Sequence, residues 1–220
     1  MDKKQGKLIV IEGIDGSGKT TQVNLLSEYL KGKNISFEII NFPRYEDNLY
    51  GKLIRRYLSG EFGSIHQVSP YLLALAYAGD RALAKPTMEN WLNSGKVVIV
   101  NRYVSASKAH LGANLPVDQR EEFMRWLDDL EYENNNMPKQ DLTILLDVDP
   151  AVGQKNIQGG EADLHEDNLK HLEEAARIYL ELAQAEPNWK VVNCMENEGM
   201  KSKQHLHKLI VEILNSFLVS

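Results

Sequence analysis

The sequence predicts an α/β protein built on a doubly wound, five-stranded parallel sheet with helices on both faces. Three observations carry that expectation. Short apolar runs rich in Ile, Val and Leu recur at Lys7–Glu12, Phe37–Asn41, Val97–Val100, Leu142–Asp147 and Lys190–Asn193. Helix-length segments separate them, which gives an alternating β/α pattern. The runs are apolar almost throughout rather than at every second residue, as in strands that helices cover on both faces.

The first run ends at a glycine-rich turn, and a helix is expected over Lys19–Lys31. After the second run come helices at Tyr50–Leu58 and Ser69–Lys85. The latter is expected to break at Pro86, which lacks an N–H and clashes with the preceding turn, leaving a separate short helix over Pro86–Asn93. Helices Val104–His110 and Asp118–Asn135 follow the third run; a short piece near Pro150–Ile157 and a helix over His165–Glu186 follow the fourth; Lys201–Leu218 closes the chain. Between them Ile157–Asp163 is polar and contains glycine, which reads as a mobile lid at about 150–165 within a single domain over 1–220. There is no internal repeat and no long linker.

Composition bounds the function. With 220 residues and 43% of them hydrophobic, the chain has enough apolar side chain for a full core. A net charge of −6 argues against a general nucleic-acid binder, which needs a broad basic face. A single cysteine, Cys194, excludes an internal disulfide, and no apolar run approaches the roughly 20 residues needed to cross a bilayer. The first residues lead into a strand rather than a secretory apolar region, so a cytoplasmic protein without membrane contact is expected.

The chemistry is read first at Gly13-Ile14-Asp15-Gly16-Ser17-Gly18-Lys19-Thr20, a G-x-x-x-x-G-K-[ST] phosphate cradle standing between a strand and a helix. Glycines at 13, 16 and 18 let backbone N–H groups converge on phosphate oxygens, and the helix N-terminus adds partial positive charge at the same point. Lys19 neutralises the transferring group, Thr20 offers its hydroxyl to Mg²⁺, and Thr21 contacts the α-phosphate of a nucleoside triphosphate, expected to be ATP. The Asn-Lys-x-Asp signature that reads guanine is absent.

Further motifs stand in order along the chain: Phe42-Pro43-Arg44-Tyr45, Tyr57-Leu58-Ser59-Gly60-Glu61-Phe62-Gly63, Tyr77-Ala78-Gly79-Asp80-Arg81, Asn101-Arg102-Tyr103, Asp163-Leu164-His165-Glu166 and Arg177-Ile178-Tyr179-Leu180-Glu181-Leu182-Ala183. With the Glu12-Gly13-x-Asp15 opening, the sequence resembles the thymidylate kinases, P-loop nucleoside monophosphate kinases. The resemblance implies a P-loop kinase fold and phosphorylation of dTMP to dTDP by ATP and Mg²⁺, in pyrimidine deoxynucleotide synthesis. It implies an acceptor site of Tyr77, Arg81 and Arg102, with Phe42 and Leu58 beside them, and Asp15 on the deoxyribose 3′-hydroxyl and near the metal. Tyr77 and Arg81, four apart, share a helix face and can address one flat base. Arg102 and Arg44 each follow a strand at its carboxyl end, where two arginines offset repulsion between two phosphorylated substrates. A phosphate monoester is already largely a dianion at neutral pH, so no general base is required.

Departures from the family pattern are plain. Asn101 stands where an aspartate is usual, keeping the shape without the charge that helps order Mg²⁺. No arginine occurs from Val148 to Ala176, which leaves Lys155 as the candidate cation over the donor phosphates. Ser107 and His110 occupy positions near sugar and base, and Ala106 stands where serine is common. Asp147 offers an alternative acid at its strand end. His66, His205 and His207 show no zinc-like spacing and read as solvated, as does the acidic stretch 128–133. Tyr71, Leu72, Leu75, Ala76 and Leu83 leave an apolar stripe that fits a homodimer. Two alternatives remain: a deoxynucleoside kinase with Glu12 as its base, although its Glu-Arg-Ser motif is missing, and a nucleotide-binding regulatory protein with reduced turnover.

Overall fold

The computed structural model describes residues 5–65, 67–157 and 168–219. The second half of the segment expected to form a lid, from 158 on, lies outside them, as do His66, His165 and the Asp163-Leu164-His165-Glu166 motif. Strands β1 (Lys7–Glu12), β2 (Phe37–Asn41), β3 (Val97–Asn101), β4 (Leu142–Asp147) and β5 (Trp189–Asn193) form one sheet in the order β2-β3-β1-β4-β5. Every pairing is parallel.

Successive side chains leave a strand on opposite faces, and here both faces are apolar. Ile9 and Ile11 of β1 join Val97, Ile99 and Ile144 in one core, while Leu8 and Val10 join Val98 and Val100 in the other. Helix α1 (Lys19–Gly32) covers the first face with Val23, Leu26 and Leu30. Helices α2 (Leu49–Leu58) and α3 (Pro70–Asn93) cover the second, where α4 (Val104–Gly112) and α5 (Val117–Asp128) contribute Val104, Leu111, Phe123 and Leu127. Helix α6 (Pro150–Ile157) follows β4; α7 (Leu169–Ala185) and α8 (Lys203–Val219) complete the first face. A two-stranded antiparallel hairpin, β6 (Met195–Glu196) and β7 (Gly199–Met200), joins β5 to α8 and has no counterpart in the sequence expectation.

Two expectations are corrected. Helix α3 runs through Pro86 without a break. Ala84 and Met88, on either side of the proline, are both buried in the core, and Lys85 Nζ donates to the Asn135 carbonyl at 3.1 Å. Tertiary packing thus outweighs the lost backbone bond. The expected helix Asp118–Asn135 is α-helical only to Asp128 and continues as a π-helical turn over Asp129–Asn134. Within that turn Glu131 is fully buried, so the acidic stretch is not simply a solvated face. His207 is also partly covered, with its ring edge-on to Tyr29 and its pKa lowered by burial. Among the described residues no helix is long and apolar enough to cross a membrane, and no group of acidic, His or Cys side chains is arranged to hold a metal by itself.

Candidate active site

The carboxyl ends of β1, β2 and β3 meet at one edge of the sheet. The Phe42 N–H donates to the Asn101 carbonyl at 3.0 Å and the Arg102 N–H to the Ile11 carbonyl at 3.1 Å. The parallel ladder therefore extends past the strand ends and holds three loops in register at the position where open α/β sheets gather ligands.

The loop after β1 wraps tightly. Gly16 has φ 74°, and a Cβ there would lie 1.9 Å from the Gly153 carbonyl oxygen of α6, so conformation and space both require glycine. Lys19 is almost fully buried and donates from Nζ to the carbonyls of Gly13 and Ile14 at 2.9 and 2.8 Å. Its ammonium therefore lies over the loop, where an incoming anion would meet it. Asp15, Gly16, Gly18, Lys19, Thr20 and Thr21 line a cavity of about 900 Å³ together with Asn101 and Arg102. Gly13 and Ser17 are buried and do not line it; the Ser17 hydroxyl has no hydrogen-bond partner among the described residues. Lys155 is exposed on α6 and does not line this cavity; its neighbour Asn156 does, donating to the Gly16 carbonyl at 3.1 Å.

A second, narrower cavity of about 120 Å³ adjoins the first, lined by Phe42, Leu58, Tyr77, Arg81, Ser107 and His110. Asp15 and Arg102 belong to both walls, as do Phe42, Pro43 and Tyr45. Arg102 and Asp15 form an ion pair where the two cavities meet. Burial is the largest single influence and disfavours the Arg102 charge, but Asp15, Tyr179, Glu12 and Tyr45 together outweigh it, and the guanidinium stays charged. Arg102 also sits at φ 64°, sparsely populated for a side chain of this size, a conformation that the surrounding bonds must enforce. Much of that constraint comes from Glu12, which is fully buried: its Oε1 accepts from the Tyr103 N–H at 2.8 Å and the Ser105 hydroxyl at 2.7 Å, and its Oε2 from the Tyr179 hydroxyl at 2.9 Å.

Arg81 reaches the narrow cavity from α3 while almost wholly buried. It donates to Glu131 from Nε at 2.8 Å and from Nη2 at 2.5 Å, and from Nη2 to the Ser107 hydroxyl at 2.8 Å. Burial opposes its charge and Glu131 outweighs that, so its pKa is raised. Arg44 is not in either wall. Asp80, fully buried, clamps it by accepting from the Arg44 N–H at 2.8 Å and from Nε at 2.9 Å, while the Arg44 guanidinium stands 5.8 Å from the Phe42 ring centroid.

Sequence reasoning missed Glu131, Asp80 and two cations. Glu131 was legible: Phe123, Leu127 and Glu131 are spaced by four on the buried side of one helix. Lys201 and Lys203 line the larger cavity from beyond the fifth strand's carboxyl end. Asp147, half-buried with a pKa raised by burial, lines neither cavity. Asn101 lines the larger one. Its Nδ2 donates to Asn41 Oδ1 at 3.0 Å, while its own Oδ1 is buried with no hydrogen-bond partner among the described residues.

Comparison with known proteins points to one family. The family model described as thymidylate kinase matches residues 11–206. A protein named "Probable thymidylate kinase" from Thermococcus onnurineus is 35% identical, covering 96% of this chain and 98% of its own. The thymidylate kinase of Mycobacterium tuberculosis is 31% identical over 80% of this chain and 85% of its own. Among solved structures, the thymidylate kinase of Candida albicans superimposes with a TM-score of 0.78 at 25% identity, covering 96% of this chain and 92% of the other.

Proposed function

The chain belongs to the thymidylate kinase family, and on that premise we propose that it transfers the γ-phosphoryl group of ATP to dTMP, with ATP in the larger cavity and dTMP in the narrower one. The observation that carries this reading is the junction: two cavities meet at one arginine, Arg102, and one of them is walled by the phosphate cradle. Phosphoryl transfer needs two anionic substrates end to end, with positive charge between them.

Lys19 serves the donor phosphates, turning from the Gly13 and Ile14 carbonyls, and Arg102 the acceptor phosphate, turning from Asp15. Arg44, held by Asp80, adds positive charge behind Phe42. Tyr77 and Phe42 give flat apolar surface for the base, and Arg81, aimed by Glu131 and Ser107, presents a donor to the base edge. The acceptor dianion attacks without help from a base. Glu12 supports this reading over a nucleoside kinase, since both its oxygens are engaged by Tyr103, Ser105 and Tyr179. Lys201 and Lys203, rather than Lys155, join Lys19 and Arg102 as cations in the wall of the donor cavity.

The residues fit a hydrated Mg²⁺. Asn101 has a buried, unpartnered oxygen, and Thr20 and Asp15 line the same cavity, all hard oxygen donors. When bound, the ion draws charge from the β- and γ-phosphate oxygens. A second copy of the chain is the proposed partner: Leu72, Leu75 and Leu83 of α3 and Leu49 and Leu53 of α2 are exposed.

A coupled ADP-release assay tests the reaction, with ATP and Mg²⁺ and with dTMP, dUMP, dCMP, dGMP, thymidine and deoxycytidine offered in parallel. Turnover with dTMP is expected. Turnover with nucleosides alone would overturn the reading, and ATP binding without any turnover would favour a regulatory protein.

A further inference from the structure

Behind Arg102 stands a row of buried hydrogen-bonding side chains that the reaction itself does not use. Arg102 Nη1 lies 2.9 Å from His110 Nε2; His110 Nδ1 lies 3.4 Å from His171 Nε2; His171 Nδ1 lies 3.0 Å from Asn114 Oδ1. Both histidines are about 95% buried, at 5% and 4% exposure; the contact between them is buried, and those to Arg102 and Asn114 are partly so. The row spans two helices, since His110 belongs to α4, Asn114 follows it, and His171 lies in the first turn of α7. There the His171 N–H donates to the Asn168 side chain at 3.0 Å.

Proton counting fixes the direction of the row. A guanidinium only donates, so His110 Nε2 must be bare. A neutral His110 then carries its proton on Nδ1 and donates to His171, whose Nε2 must in turn be bare. The His171 proton sits on Nδ1 and meets the Asn114 carbonyl oxygen. The opposite direction would leave His110 with no ring proton at all, which an imidazole does not tolerate in water. Each link follows from the one before it, starting at the arginine.

We propose that His171, with Asn114, is a positioning residue for the transfer reaction: it locks His110 in the tautomer that accepts from Arg102 and so aims the guanidinium at the acceptor phosphate. Without an acceptor at position 171, His110 loses this partner for its Nδ1 proton, and the tautomer protonated on Nε2, which sets a second donor against Arg102, gains population. Arg102 then loses a partner on the side away from Asp15 and its orientation loosens. Donor-side binding, built on the loop 13–18, does not depend on this row. The relay sits at the same junction as Asp15 and Tyr179, whose ring meets His110 edge-on at 5.9 Å.

The inference rests on the reading of Arg102 as the acceptor-phosphate ligand. Its first test therefore needs no substrate: long-range ¹H–¹⁵N NMR of the histidine side chains in the intact protein, assigned with His110→Phe and His171→Phe. His110 is expected with a proton on Nδ1 and a bare Nε2; a proton on Nε2 overturns the relay, whether or not the variants fold. Initial-rate kinetics then separate positioning from general damage. In His171→Phe the KM for dTMP should rise about five- to tenfold, the loss of roughly one neutral hydrogen bond, while kcat and the KM for ATP stay within about twofold. His171→Gln, which restores an acceptor, should return the KM for dTMP to within about threefold of the parent. An unchanged KM for dTMP in His171→Phe, an equal rise in both KM values, or no rescue by glutamine overturns the positioning role. An unchanged KM for dTMP in Arg102→Met as well would trace that failure to the reading of Arg102 itself.

Discussion

Arg81 and Glu131 show how a buried charge is tolerated through one doubly bonded carboxylate oxygen, Oε1, while Glu131 Oε2 is buried without a hydrogen-bond partner among the described residues. The pair is nearly water-free, with two donor contacts onto one carboxylate oxygen and Ser107 taking another guanidinium proton. Removing one partner strands the other, which is much costlier than removing both. Glu131→Ala is expected to lose about 3 to 5 kcal/mol of stability, read as a lower midpoint in urea unfolding. It should also raise the KM for dTMP, because Arg81 loses its orientation. A loss below 1 kcal/mol would mean that Arg81 is solvated after all. Much at this scale was legible in the sequence. Lys19 and Thr20 were read from the phosphate-cradle motif, Tyr77, Arg81 and Arg102 from the family resemblance, and each lines a cavity. Asp80 went unmarked because an acid in a helix reads as solvated until the arginine it faces is known; Glu131, though spaced with Phe123 and Leu127, was read with the acidic stretch around it. The His110–His171 contact depends on how two distant helices pack, which no local spacing encodes.

Helix α3 sets local propensity against packing. Pro86 is exposed, while Ala84 and Met88 beside it are buried. The helix thus carries a missing backbone bond at no benefit to the core. Pro86→Ala should stabilise the protein by about 1 to 3 kcal/mol with kcat and both KM values unchanged, measured by thermal unfolding and initial rates. Destabilisation would show that the proline sets a bend the fold needs. The strands were legible almost to the residue, since an apolar run with both faces covered has one structural reading. The helix ends were less so, because proline rules, π-helical turns and caps are settled by tertiary contacts. The β6–β7 hairpin is too short to leave a periodic trace.

At the scale of the whole molecule, the sheet order brings three strand ends to one edge and leaves an apolar surface elsewhere. Leu49 is 83% exposed and Leu72 64%, more than a solitary monomer usually leaves on adjoining helices. Sedimentation equilibrium at micromolar concentration should give a dimer, and Leu72→Glu with Leu83→Glu a folded monomer. A monomeric parent protein would contradict the pairing of these faces. The fold class was legible because alternating elements with apolar strands admit few architectures. The apolar surface was legible only as a stripe; that Tyr71 turns inward from it emerged from its packing against Phe123 and Trp126.

That one arginine joins the two cavities and faces the acceptor is tested most directly by the initial-rate kinetics of Arg102→Met with ATP and dTMP. Loss of a charged hydrogen-bond partner should raise the KM for dTMP by roughly 10- to 100-fold while the KM for ATP moves less than about threefold. A raised KM for ATP with that for dTMP unchanged would place Arg102 on the donor and contradict the arrangement.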